Sequence, residues 1–256
     1  MTYFQPVICR RDDTGLTLIE LLVALALAAL LVTGLVQVTA ASSASAQLQR
    51  NQAQIQENAR LAQRVLSRAV HQAGFNPQPW NPLFSLEALG ENSVDNISPQ
   101  GDRLVVRFWS DLNCFDNRNP DIDSSGNPRF YVRESSFDVT ASRSLTHQCR
   151  YGPSMSELTT QIRRQGFINE IEAFHVLFGD DSDRSGGIDD WVKAGNWSHV
   201  SNVTGIRVGL LLFSKDPVLD PRDLAVGVLD ATVVKSAERK ISREIEFAAA
   251  IRGQTG

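Results

Sequence analysis

The sequence predicts an α+β chain. One long N-terminal helix, apolar in its first half and amphipathic in its second, packs on a mainly antiparallel β-sheet. Three observations carry this reading. Residues 16–38 are nearly continuously apolar. Residues 47–73 place apolar side chains at helical steps of four and three. Beyond Gly74 come short alternating segments between loops rich in Asn, Asp, Ser, Gly and Pro.

The 256 residues suffice for one medium domain plus a tail, or for two small domains. Hydrophobic residues make up 42% and charged residues 21%, ordinary for a folded protein. The net charge of −4, with no Lys/Arg run of useful length, argues against nucleic acid as a partner.

The run 16–38 is interrupted by Thr17, Glu20, Thr33, Gly34 and Gln37. As a helix its 23 residues span roughly 34 Å, about one hydrocarbon core. No second run of comparable length follows, so the chain divides into one membrane-directed segment and one water-soluble remainder. Two readings of this N-terminus need no special device. In a secretory signal peptide, Arg10 and Arg11 supply the charge and Ala44–Ser45–Ala46 the cleavage site before Gln47. The run exceeds the usual apolar core of about 7–15 residues, and Glu20 sits inside its leading edge. In a plain single-pass anchor, Arg10 and Arg11 hold the N-terminus in the cytoplasm, and Glu20 snorkels to the interface.

A third reading uses all the local features. Gly15-Leu16-Thr17-Leu18-Ile19-Glu20 resembles the prepilin peptidase site of type IV pilins and pseudopilins. The resemblance implies a leader over 1–15, cleavage after Gly15, and N-methylation of the new first residue, Leu16. Glu20 is then the fifth mature residue. In the family this glutamate pairs with the N-terminal amine of a neighbouring subunit and sets register in the filament. The family's first mature residue is more often Phe, where this chain has Leu16, and Asp12 and Asp13 offset Arg10 and Arg11.

The second helix half is expected to run to Ala73. Ile55, Ala59, Ala62, Leu66, Ala69 and Ala73 form its stripe, widened by Val65 and Val70. Arg60, Gln63, Arg64, Ser67 and Arg68 fill the other side. Gly74 stops the helix, with Pro77 close behind. A coiled coil is the rival, but the alanine-rich stripe lasts only about three heptads. Strands are expected at 104–109, 129–132, 170–178, 205–213 and 245–251, with long connections.

The resemblance extends through QENARLAQRVLSRAVHQAGF, FHVLFGDDSDRSGGIDD, VTGIRVGLLLFSKDP and REIEFAAAIRG, which are similar to PilW-type minor pilins. It implies a pilin fold in three parts: leader 1–15, transmembrane or filament-core helix half 16–38, and periplasmic domain 39–256 including the helix half 47–73. It implies a minor pilin that helps initiate a type IV pilus at its tip. Implied partners are major and minor pilins, the prepilin peptidase and the inner membrane. J-type pseudopilins of type II secretion share the layout and remain the close alternative. A secreted or anchored calcium-dependent binding protein is the alternative from another class.

Two acidic loops suit a hard cation. Asp181, Asp183 and Ser185 precede Gly186 and Asp189, and Ca²⁺ takes six to eight oxygen ligands of this kind. Val192 stands where an EF-hand loop has its bidentate Glu, so the loop is no EF-hand, and a solvated turn is the plain alternative. Asp121, Asp123, Ser125 and Gly126 repeat the pattern before Asn127-Pro128. No cofactor is required; Ca²⁺ is the one ion these loops suit. If this part is exported, Cys114 and Cys149 are expected to form a disulfide, with two buried free thiols as the alternative. Four scattered histidines and the absence of nucleophile, phosphate-loop or zinc motifs give no catalytic constellation, and no enzyme is expected.

Overall fold

The computed structural model describes residues 17–98, 100–218 and 222–254. It contains one long helix, α1 (Leu18–Gln72), and eleven strands. Two compact units divide the chain, one ending at Leu48 and the other running from Gln49. In the first unit, α1 exposes every apolar side chain from Leu18 to Val38. A water-facing helix of this composition has no core to join, as expected of a membrane or filament helix.

In the second unit the rest of α1 is amphipathic, and its stripe is buried as the spacing predicts. Ile55, Ala59, Ala62, Leu66, Ala69, Val70 and Ala73 all join one core. Asn51 extends the buried row by one turn, its Nδ2 donating to the Asp216 carbonyl at 3.3 Å. The helix ends at Gln72, and Gly74 follows at φ 72°, the left-handed stop that only glycine adopts without strain.

The strands are β1 (Val94–Ser98), β2 (Gly101–Ser110), β3 (Tyr131–Val139), β4 (Ser144–Gly152), β5 (Thr159–Asn169), β6 (Ile171–Asp180), β7 (Asp190–Val192), β8 (Val203–Phe213), β9 (Arg222–Val228), β10 (Ala231–Glu238) and β11 (Ser242–Ala250). Their main sheet has the order β11-β8-β6-β2-β3-β4-β5, with β1 beside β2 and β7 beside β6. All five expected strands are present, with shifted bounds. The segment expected at 129–132 starts two residues later and continues to Val139, because Ser135, Ser136 and Asp138 read as loop in sequence but pair with β2 and β4. Strands β1, β4, β5, β7, β9 and β10 were not expected.

The expectation of long connections holds between β2 and β3, joined by residues 111–130, and is corrected elsewhere. Leu229 and Asp230 alone join β9 to β10, and Glu170 alone joins β5 to β6. Glu170 takes φ 64°, and the Ile171 amide donates to the Arg143 carbonyl at 3.0 Å. The sheet therefore curls until the end of β5 meets the start of β6.

Two antiparallel meanders, β2-β3-β4-β5 and β6-β8-β11, meet at one parallel pairing, Gly101 with Phe174. Gly101 has φ 119°, and a Cβ there would lie 2.1 Å from the Phe174 carbonyl oxygen. Asp102 clamps the junction: its Oδ2 accepts the Val176 amide at 2.7 Å and its Oδ1 the Asn96 amide at 2.9 Å. One sheet face supplies Leu104, Phe137, Phe174, Val208 and Leu210 to the core under α1. On the other face, the β9–β10 hairpin packs Val228 on Ala173, Leu211 and Phe213.

Candidate functional site

The N-terminal turn is built around Glu20. Its Oε2 accepts the Thr17 backbone N–H at 3.0 Å and the Thr17 hydroxyl at 2.9 Å. The Glu20 amide lies 3.4 Å from the Thr17 hydroxyl oxygen. This is a reciprocal capping box, in which Thr and Glu three residues apart satisfy helix-end donors. Both strong bonds end on Oε2, so Oε1 keeps its lone pairs for a further donor. Gly15 and Leu16, the expected processing residues, lie outside the described residues. Farther along, the Thr33 hydroxyl donates to the Ala29 carbonyl at 2.6 Å, and that of Thr39 to the Leu35 carbonyl at 3.0 Å. Such bonds let a threonine sit in an apolar helix without an unsatisfied hydroxyl.

Cys114 and Cys149 are joined, with Cα atoms 5.9 Å apart. Cys149 lies in β4, opposite Ser135 of β3 and Ile162 of β5. Cys114 sits on a turn organised by Asn113, whose Oδ1 accepts the amides of Phe115 and Asn117. The Cys114 amide donates to Gln161 Oε1 at 3.0 Å. The bridge thus pins the loop between β2 and β3 to the far strands of the sheet. It also removes Cys149 from any nucleophilic role beside His147.

The acidic loop between β6 and β7 gathers the expected carboxylates. One oxygen each from Asp181, Asp183 and Asp189 lies within 4.8 Å of the others. Asp181 is buried and accepts the Ser185 amide on Oδ1 and the Gly186 amide on Oδ2, each at 2.9 Å. Asp183 Oδ1 also accepts the Ser185 amide, and Asp189 Oδ2 accepts the Ser182 amide and hydroxyl. Ser185 hydrogen bonds hold the Asp183 carboxyl below the usual carboxylate range. The three carboxylates converge closely enough to share one hard cation by distance. In the second loop, Asp123 Oδ1 accepts the Ser125 and Asn127 amides, while Asp121 accepts the Tyr131 hydroxyl at 2.5 Å. That bond, and burial, push the Tyr131 hydroxyl up to about 12.

The face of β2–β5 turned away from α1 carries a feature absent from the sequence reading. Glu134 is held by Arg107 at 2.8 Å and Arg150 at 3.0 Å. Asp138 is held by Arg103 at 3.0 Å and Arg164 at 2.8 Å. Glu172 of β6 is paired with Arg143 and Lys235. Each of these three buried carboxylates thus has two cations, the condition under which burial of charge is tolerated. The signal was the charge at alternate positions 134 and 138 of β3, which places both on one sheet face. The histidines are dispersed: His71 faces the Ala250 carbonyl, His175 lies 3.5 Å from Asp102, and His199 caps a short turn. His147 stacks on Phe137, and burial, then the Arg133 charge, push it down to about 4.

Comparison with known proteins gives three findings. Residues 129–251 match the family model described as Type IV Pilus-assembly protein W. Residues 10–36 match the prokaryotic N-terminal methylation motif. A type IV-like pilin from Thermus thermophilus has the same fold, with a TM-score of 0.50 and 16% identity, covering 78% of this chain and 96% of that one. No curated protein matches the chain.

Proposed function

Because the chain is a type IV pilin-like protein of the PilW type, we propose that this minor pilin acts at the start of pilus assembly, in a complex at the filament tip. It is a membrane-anchored pilin that associates with other pilin subunits. The carrying observation is the fully exposed apolar helix half headed by the Thr17–Glu20 box. In this reading the precursor sits in the inner membrane with its globular unit in the periplasm. The prepilin peptidase cuts after Gly15 and Leu16 is methylated. Glu20 then offers Oε1 to the new amine of a neighbouring subunit. Inside a bilayer an unpaired carboxylate is penalised, and pairing relieves the penalty as the subunit enters the filament.

The test is the intact mass and N-terminal sequence of protein from native membranes. A start at N-methylated Leu16 supports the proposal. A start at Gln47 would show a removed signal peptide, and an intact Met1 a plain anchor; either ends it. A J-type pseudopilin shares these features, and loss of pili rather than of secretion on gene deletion separates the two. The role we propose is structural and uses no catalysis.

The acidic loop favours an accessory reading, in which Asp181, Asp183, Ser185 and Asp189 hold Ca²⁺. Its support is the convergence of three carboxylates. Calorimetry with calcium at up to millimolar levels should show binding that Asp183→Asn weakens; no heat at all would sink the idea.

A further inference from the structure

The polar side of α1 lines an open groove of about 760 Å³. Arg60, Arg64 and Arg68 recur every fourth residue along it, so their Cα atoms are spaced about 6 Å along the helix axis. Arg252, from the turn after β11, joins them, and no carboxylate lines the groove. Ion pairs among the described residues engage Arg103, Arg107, Arg133, Arg143, Arg150 and Arg164, and not the helix row Arg60, Arg64 and Arg68. A row of like charges at this helical spacing is self-repelling, and here it is concentrated in a chain of net charge −4. At the Arg68 end the groove leads to a second hollow of about 430 Å³, where Phe75 is 48% exposed.

We propose that this groove docks an acidic segment of another filament subunit. Carboxylates one helical turn apart pair with Arg60, Arg64 and Arg68, and an apolar side chain packs on Phe75. The proposal rests on the reading of the chain as a filament subunit. Charge complementarity and matched spacing favour an acidic helix face, on which Glu or Asp at every fourth position repeats the same interval. A nucleic acid fits less well, because Asp111 and Asp116 line the second hollow, where a continuous phosphate chain would be repelled.

The experiment places p-benzoylphenylalanine at Ser67 of the full chain in its native membranes, irradiates, and identifies the cross-linked peptide by mass spectrometry. The expected product joins Ser67's position to a segment of another subunit carrying at least two carboxylates. Arg64→Glu with Arg68→Glu should lower its yield about tenfold, while Arg64→Lys with Arg68→Lys retains it. Changing the partner's carboxylates to lysine should restore the yield to the charge-reversed chain, which also shows that this chain still folds. Cross-links only to nucleic acid or lipid, no cross-link, or one indifferent to charge reversal would overturn the proposal. The mass of the same preparation reports processing at Leu16. A correctly processed chain with no such cross-link therefore refutes the docking site and leaves the subunit reading standing.

Discussion

Glu20 closes on Thr17, three residues before it, through two hydrogen bonds to a single carboxylate oxygen. The residue expected to act between subunits is therefore already held within its own helix turn. Thr17→Ala removes the hydroxyl bond and frees the carboxylate to rotate. Amide exchange in micelles should then accelerate at residues 18–21 and remain unchanged beyond Val32. Equal exchange in both chains would show that the box does not hold the turn.

The Cys114–Cys149 bridge closes 35 residues of chain. In the chain-entropy model this contributes roughly 3–4 kcal/mol. Reduction, or Cys114→Ser with Cys149→Ser, should lower unfolding free energy by that amount. With Cys9 present, alkylation should add one label without reductant and three after reduction.

Gly101 leaves no room for a methyl group against the Phe174 carbonyl. Gly101→Ala combines a backbone clash with a φ that alanine disfavours, a cost on the order of 3 kcal/mol or more. Because this contact is the only parallel join in the sheet among the described residues, loss should appear as an unfolding midpoint far below the parent's. Val105→Ala in the same strand is the milder control.

Glu134 has a side chain 5% exposed and holds Arg107, 10% exposed, and Arg150, 37% exposed. Glu134→Gln strands the buried Arg107 charge and should cost about 3 kcal/mol. Arg150→Gln removes only the outer cation and should cost under about 1 kcal/mol. Equal losses in urea denaturation would contradict the assigned asymmetry.

His147 is pushed down to about 4 by burial and by Arg133, against an ordinary value of about 6.5. The native state thus stays neutral where the unfolded state takes up a proton. Stability from this group is present above about pH 6.5 and is lost as the pH falls towards 4, by roughly 2–3 kcal/mol at most. His147→Gln should flatten that part of the pH profile, measured by denaturant midpoint at pH 7, 5.5 and 4.5.

The apolar helix and the buried stripe were legible in sequence because a period of 3.6 residues repeats over many turns, as from Ile55 to Ala73. Strands β4 and β5 were not, because one face of each carries polar side chains such as Gln148, Arg150 and Arg164. Arg150 and Arg164 are held by carboxylates of β3 that meet them only after folding. The acidic loop and the cysteine pair were legible from residue type and spacing. The Thr17–Glu20 box was equally legible as T-x-x-E before an apolar run, and was missed because Glu20 had been assigned to an intermolecular role. The arginine row was seen only as the helix's polar side; Arg252 reaches it from the end of the described chain, which no local pattern reveals.

The burial of α1 depends on late chain. Ala249 and Ile251 complete its core, His71 meets the Ala250 carbonyl, and a Cβ on Gly253 would lie 2.1 Å from the backbone of Gly74. During synthesis the stripe from Ile55 to Ala73 emerges long before its cover does. Every shorter nascent chain therefore carries that stripe incompletely covered, next to an apolar run with no partner of its own. High contact order of this kind slows folding and prolongs exposure. The growing chain thus keeps this apolar surface exposed until β11 arrives.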